Sequence, residues 1–139
     1  MVLPEDLIEP VNKLAQNLFI SPPAISQVAA LAAFDCKEEL EANKSIYAQN
    51  RKVLLSALTD RGLLPAAPPD GAFYIYVDAS PLSNDSMALC KSMLEEIGVA
   101  ATSGLDFQPA NGNRYIRFSF CASERDIAEA ADRIRTWRI

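Results

Sequence analysis

Histidine is absent from all 139 residues. That removes the Ser-His and Cys-His nucleophile pairs, and with them the commonest general base. Cysteine is scarce: Cys36, Cys90 and Cys121 are odd in number, widely spaced and form no C-x-x-C pair. A disulfide framework and a zinc site are both poorly supported, and a reducing cytoplasm fits best. Positive charge is also short, with 13 Lys and Arg against 18 Asp and Glu and a net charge of −5. No basic cluster can neutralise a run of phosphates, so nucleic acid is not an expected partner. No apolar run is long enough to span a bilayer, and the start MVLPEDLIEP carries acids where a signal peptide carries bases. A membrane is therefore not an expected partner either. The local acids Asp35, Glu38, Glu39 and Glu41 read as a solvated helix start, and no metal ligands are assigned.

What is present is a chain of single-domain size, half of it hydrophobic. Behind Pro4, the residues Leu7, Ile8, Val11, Leu14, Ala15 and Leu18 recur at helical spacing, with Glu5 and Asp6 suited to the positive helix end. Pro22-Pro23 should break that helix. The exposed cost of Phe19 and Ile20 predicts that this loop meets another surface. A second helical region runs from Ala24 to about Arg61, with a bend expected between Phe34 and Lys37. Its alanine-rich first half, AISQVAALAAF, is expected to be buried on most sides. Tyr47, Leu54 and Leu58 share a face in the second half, and Gly62 is a natural terminator.

From Leu63 the composition changes to LLPAAPPDG and then GAFYIYVDAS, in which Phe73 to Val77 predict a strand. A helix follows over about Ser86 to Ile97, with Asp85 among its capping candidates and Gly98 at its end. Its apolar stripe is expected to hold Leu89, Cys90, Met93, Leu94 and Ile97. The stretch GVAATSGLDFQPANGNRYIRFSF reads as a short strand, a glycine-containing loop and a second strand. Strand alternation puts Ile116, Phe118 and Phe120 on one face and Tyr115, Arg117 and Ser119 on the other. A final helix starts at Ser123 and buries Ile127, Ala130, Ala131, Ile134 and Trp137. Helices first, then strands with helices on one side, predict an α+β fold. It would comprise long connecting helices followed by a small, mainly antiparallel sheet. The predicted division is 1–62 for the helical region and 63–139 for the small α+β domain.

Arg117 is the candidate of greatest interest. On a strand, beside a tyrosine and a serine, its planar fork can receive both oxygens of a carboxylate, and its charge does not titrate away. The alternative is an arginine that faces water or pairs with a surface acid.

The ordered set PPDGAFYIYVD, GVAATSGLDF, YIRFSF and SERDIAEAADRI, preceded by VLPEDLIEPVNKLAQNLFISPPAISQVAALAAF, resembles the C-terminal part of class I/II aminotransferases. These are fold-type-I enzymes dependent on pyridoxal phosphate. The resemblance implies that Arg117 binds the α-carboxylate of the substrate. It also implies that Phe73 lies near the substrate, with strand core as the alternative. Gln16 falls near a position where the dicarboxylate-specific branch carries an arginine, which implies no strong selection for a second carboxylate. The substrates implied are an amino acid and a 2-oxo acid, and the assembly implied is a homodimer. Two residues depart from the family's loop: Ser103 stands where proline is common and Gln108 where glycine is common, so the path of that loop is less determined.

Pyridoxal-phosphate chemistry needs a lysine amine. Lys13, Lys37, Lys44, Lys52 and Lys91 all fall in predicted helices or at their starts, and none sits in the family's S/T-x-x-K or S-K motif. No catalytic residue is assigned in this chain. It is expected to be a C-terminal fragment that does not itself transaminate. The same fold in a lyase or decarboxylase, or in the effector-binding or dimerisation domain of a regulator, remains the alternative.

Overall fold

The computed structural model describes residues 2–138. These fall into two compact units, divided between Glu41 and Ala42.

In the first unit, α1 (Glu5–Leu14) begins directly after Pro4, whose fixed φ suits a helix entry. A π-helical turn over Ala15–Phe19 follows. Ile20 ends it at φ 67°, where a β-branched side chain is strained. The second helix, α2 (Ala24–Ala32), passes through a single 3-10 turn at Ala33–Asp35 before α3 (Lys37–Asp60) begins. The expected bend is therefore present. The expected burial of the alanine-rich stretch is not: Ile25 is 78 % exposed, and Val28, Leu31 and Phe34 are exposed with it. Leu18, Phe19 and Ile20 are exposed as well. Short helices without an opposing layer have nothing to bury an apolar face against. Among the described residues no single helix is long and apolar enough to cross a membrane.

The second unit holds the core. Leu54, Ala57 and Leu58 of α3 recur at helical spacing and are fully buried. Gly62, at φ 76°, terminates the helix, and the Leu63 amide returns to the Leu58 carbonyl at 2.9 Å. The strands are β1 (Leu64–Pro65), β2 (Tyr74–Asp78), β3 (Thr102–Ser103) and β4 (Tyr115–Ser119), ordered β1-β2-β4-β3 with every pair antiparallel. Ile75 pairs with Phe118 and Val77 with Ile116, so four buried apolar residues tile the inner face at the sheet's centre.

Between β2 and β3 runs α4 (Ser86–Ile97). Asp85 caps its start by accepting a hydrogen bond from the Ala88 amide at 3.0 Å, and Gly98 caps its end in the left-handed conformation. Last comes α5 (Glu124–Thr136), capped by Ser123 through the Asp126 amide at 3.1 Å. Residues of α3, α4 and α5 join the inner sheet face in one hydrophobic cluster. This is the expected α+β arrangement. Leu94 is the exception on α4: it is half exposed, because it lies off the face formed by Leu89, Cys90 and Met93. Trp137 is buried just past α5, and its indole N–H donates to Glu96 at 2.9 Å.

One buried polar residue ties α3 to the end of β4. Asn50 donates from its side-chain amide to the carbonyls of Phe120 (3.1 Å) and Ala122 (2.8 Å). Both acceptors lie beyond the strand ladder, where the backbone would otherwise lack a partner.

Candidate functional site

The outer face of β2 and β4 carries the chemistry. Alternation places Tyr74, Tyr76 and Asp78 there from β2, and Tyr115, Arg117 and Ser119 from β4. None of the six is buried. In register, Arg117 stands between Tyr76 on β2 and Thr102 on β3, with Tyr74 as its diagonal neighbour.

Two aromatic rings lie against the Arg117 guanidinium. Its central carbon is 4.9 Å from the Tyr74 ring centroid and 4.5 Å from that of Phe107. Tyr76 meets Phe107 edge-on at 6.3 Å and stacks on Tyr115 at 5.1 Å. Burial, followed by the neighbouring Tyr115, pushes the Tyr76 phenol above its ordinary pKa.

The arginines differ in what holds them. Arg51 pairs with Asp70, Arg114 with Asp78, Arg125 with Asp126, Arg133 with Glu129, and Arg135 with Asp60 and Asp132. Among the described residues Arg117 has no such acid, so its charge is screened by rings instead of being neutralised. Asp78 is the only acid on the outer face of β2 and β4, and Arg114 takes it. The hydrogen bond from Arg114 is the main reason the Asp78 carboxyl is held down at about 2, and the same bond raises the Arg114 pKa.

A tight loop delivers Phe107. One 3-10 turn covers Gly104–Asp106 and another covers Gly112–Arg114. A Cβ on Gly104 would sit 2.6 Å from both the Gly112 carbonyl oxygen and the Tyr76 hydroxyl. At Gly112 it would come within 2.4 Å of the Gly104 backbone. Only glycine permits this backbone contact. Ser103 reinforces it: its hydroxyl accepts from the Leu105 amide at 3.2 Å and shares a 2.8 Å hydrogen bond with Ser86, which donates to the Gly112 carbonyl at 2.9 Å. Gln108 joins through its backbone, donating to Gly104 at 2.9 Å and accepting from Gly112 at 2.7 Å. The two departures from the family loop thus sit in a fully bonded clip.

The three residues singled out from sequence are distributed unevenly. Arg117 lies at the centre of the outer face. Phe73 immediately precedes β2 and is 46 % exposed, with its ring edge-on to Tyr74 at 5.1 Å, so it is not strand core. Gln16 lies in the π-helical turn of the first unit, where it is exposed, and the Arg117 cluster is built without it. The ring contacts from Tyr74 and Phe107 were not anticipated. The alternation in Tyr-Ile-Tyr-Val-Asp could have placed Tyr74 on the arginine's face; nothing local could have placed Phe107.

Comparison with known proteins gives a consistent result. Residues 1–134 match the family described as aminotransferase class I and II. The valine–pyruvate aminotransferase of Mycobacterium tuberculosis is 41 % identical over 99 % of this chain, which spans 36 % of that relative's length. The crystal structure of a candidate aminotransferase from Silicibacter pomeroyi superposes with a TM-score of 0.84 at 50 % identity, over 97 % of this chain and 36 % of that one. An aminotransferase structure from Mycobacterium tuberculosis gives a TM-score of 0.83 at 42 % identity, over 97 % and 35 %.

Proposed function

Because the chain belongs to the class I and II aminotransferases, we propose that it supplies the small domain of a pyridoxal-phosphate-dependent transaminase. In that enzyme Arg117 receives the α-carboxylate of an amino acid and of a 2-oxo acid. The observation that carries this reading is the state of Arg117: a permanent charge on the outer sheet face, flanked by rings and lacking a carboxylate of its own. A guanidinium in that state pairs most favourably with a carboxylate brought by a ligand, through two parallel hydrogen bonds.

Pyridoxal phosphate supplies the aldehyde and electron sink of such reactions, and it needs a lysine amine. The lysines present do not fit. Lys13, Lys37, Lys44, Lys52 and Lys91 are all exposed on helices, Lys13 beside Glu9 and Lys91 beside Glu95. None lies on the face that carries Arg117. This chain does not hold the cofactor by itself, and its part is to bind and orient. Fixing the carboxylate sets the position of the adjoining Cα, a contribution of geometry and not of proton transfer.

Phe73, beside Tyr74, is assigned to the wall of the substrate site. Gln16 is assigned, by the resemblance alone, to substrate contact across the subunit interface of the complete enzyme, where a neutral residue gives no strong selection for a second carboxylate. The relative named a valine–pyruvate aminotransferase supports an apolar amino acid and pyruvate as the first pair to test. We assign the complete enzyme to a homodimer in the cytoplasm. Exposed Leu18, Phe19 and Ile20 support a contact surface, and three unpaired thiols support a reducing compartment.

The test is Arg117→Lys in the complete enzyme with pyruvate as acceptor. Loss of the bidentate pair should lower kcat/KM by about 10- to 100-fold, with KM for pyruvate rising. An unchanged kcat/KM would remove Arg117 from the site.

A further inference from the structure

We propose that Phe107 and Tyr74 are positioning residues for carboxylate recognition, acting through Arg117 by holding its guanidinium in place. The proposal rests on the carboxylate reading above and adds the residues that make it selective. An arginine on an open sheet face has several freely rotating torsions, and ordering them on binding costs affinity. Here two rings already lie against the group, at 4.5 Å and 4.9 Å. A ring can meet the flat face of a guanidinium while a carboxylate pairs with its N–H edge, so the two contacts are compatible.

Phe107 is half exposed, yet three features hold it. The Gly104–Gly112 backbone contact sets the loop path, the Ser86–Ser103–Gly112 hydrogen bonds close it, and Tyr76 meets the ring edge-on. The Tyr76 hydroxyl is buried against Gly104 with no hydrogen-bond partner. A ring fixed by so much local structure is not explained by the hydrophobic core, which it does not join. It is explained by the cation beneath it.

The experiment measures pyruvate kinetics in the complete enzyme for Phe107→Leu, Phe107→Tyr, Arg117→Lys and the double variant Phe107→Leu/Arg117→Lys. Losing one ring contact should raise KM for pyruvate about three- to tenfold in Phe107→Leu. Its kcat should stay within about twofold of the parent, as expected for uniform binding. Phe107→Tyr keeps the ring and should restore KM. In the Arg117→Lys background, Phe107→Leu should change KM by less than about twofold, because its effect runs through the arginine. Tyr74→Val, which keeps a strand-favouring residue, provides the second probe and should also raise KM.

An unchanged KM in both Phe107→Leu and Tyr74→Val would overturn the proposal. So would an equal rise from Phe107→Leu in the Arg117→Lys background. Loss of kcat alone, with KM unchanged, would assign the rings a purely structural role and also overturn it. If Arg117→Lys itself leaves kcat/KM unchanged, the carboxylate reading fails first; a response to Arg117→Lys without one to the ring variants sinks only the positioning role.

Discussion

The two faces of the β2–β4 pair follow one alternation and answer to different physics. Ile75, Val77, Ile116 and Phe118 point inward, and all are buried against helices. Tyr74, Tyr76, Asp78, Tyr115, Arg117 and Ser119 point outward, and none is buried. On the inner face the requirement is apolar volume, and residues of similar size can replace one another at modest cost. On the outer face it is identity that counts. Arg114 and Arg117 carry the same charge three residues apart, yet one is bound to Asp78 and the other rests against two rings. A buried face stabilises by what it excludes, whereas an exposed face functions by which of its charges is left unpaired.

That contrast can be tested by mutation on each side. Phe118→Ala should be the most damaging. It removes a nearly fully buried ring and should cost about 3–5 kcal/mol, read as a shift in the urea midpoint by circular dichroism. Asn50→Ala comes next. It strips the donor from the Phe120 and Ala122 carbonyls and should cost about 2–3 kcal/mol, by the same measurement.

Asp78→Asn should lower stability at neutral pH, by an amount that vanishes in acid. The Asp78 pKa is depressed in the folded chain to about 2, against roughly 3.9 when unfolded. The stability it contributes is therefore fully present above the unfolded value and is lost as pH falls from about 4 towards 2. The variant should show a flatter acid limb in that window and converge with the parent at its lower end. An identical limb in both proteins would mean that the Arg114 pair contributes nothing. Arg117→Lys should be mildest for folding, within about 1 kcal/mol, while being the costliest of these changes for substrate capture. A large loss of stability would place Arg117 among the structural residues.

Much of the architecture was legible from local pattern. The alternation of YIYVD and YIRFS marks the two central strands, and the bounds of α4 coincide with the apolar stripe between Asp85 and Gly98. Ser123 likewise announces α5. These signals work because caps and periodicity depend on residues only a few positions apart. The same logic overreached twice. The composition of Ala24–Phe34 suggested burial, but an apolar stretch is buried only when another layer covers it, and here Ile25, Val28 and Leu31 are exposed. Leu94 has the right residue type at the wrong angle.

The sequence by itself determined that Arg117 stands on a strand, opposite in facing to Ile116 and Phe118, because side-chain direction has a period of two. It also determined both ends of α4 and the start of α5. Tertiary structure alone decided which of Arg114 and Arg117 stays available. The antiparallel register sets Asp78 against Tyr115, within reach of Arg114; a slip of two residues would set the same acid against Arg117 and neutralise it. Tertiary structure also brought Phe107 over the guanidinium, through a contact between two glycines and a hydroxyl pair from separate segments. Such choices depend on partners distant in the chain, and local pattern carries no record of them.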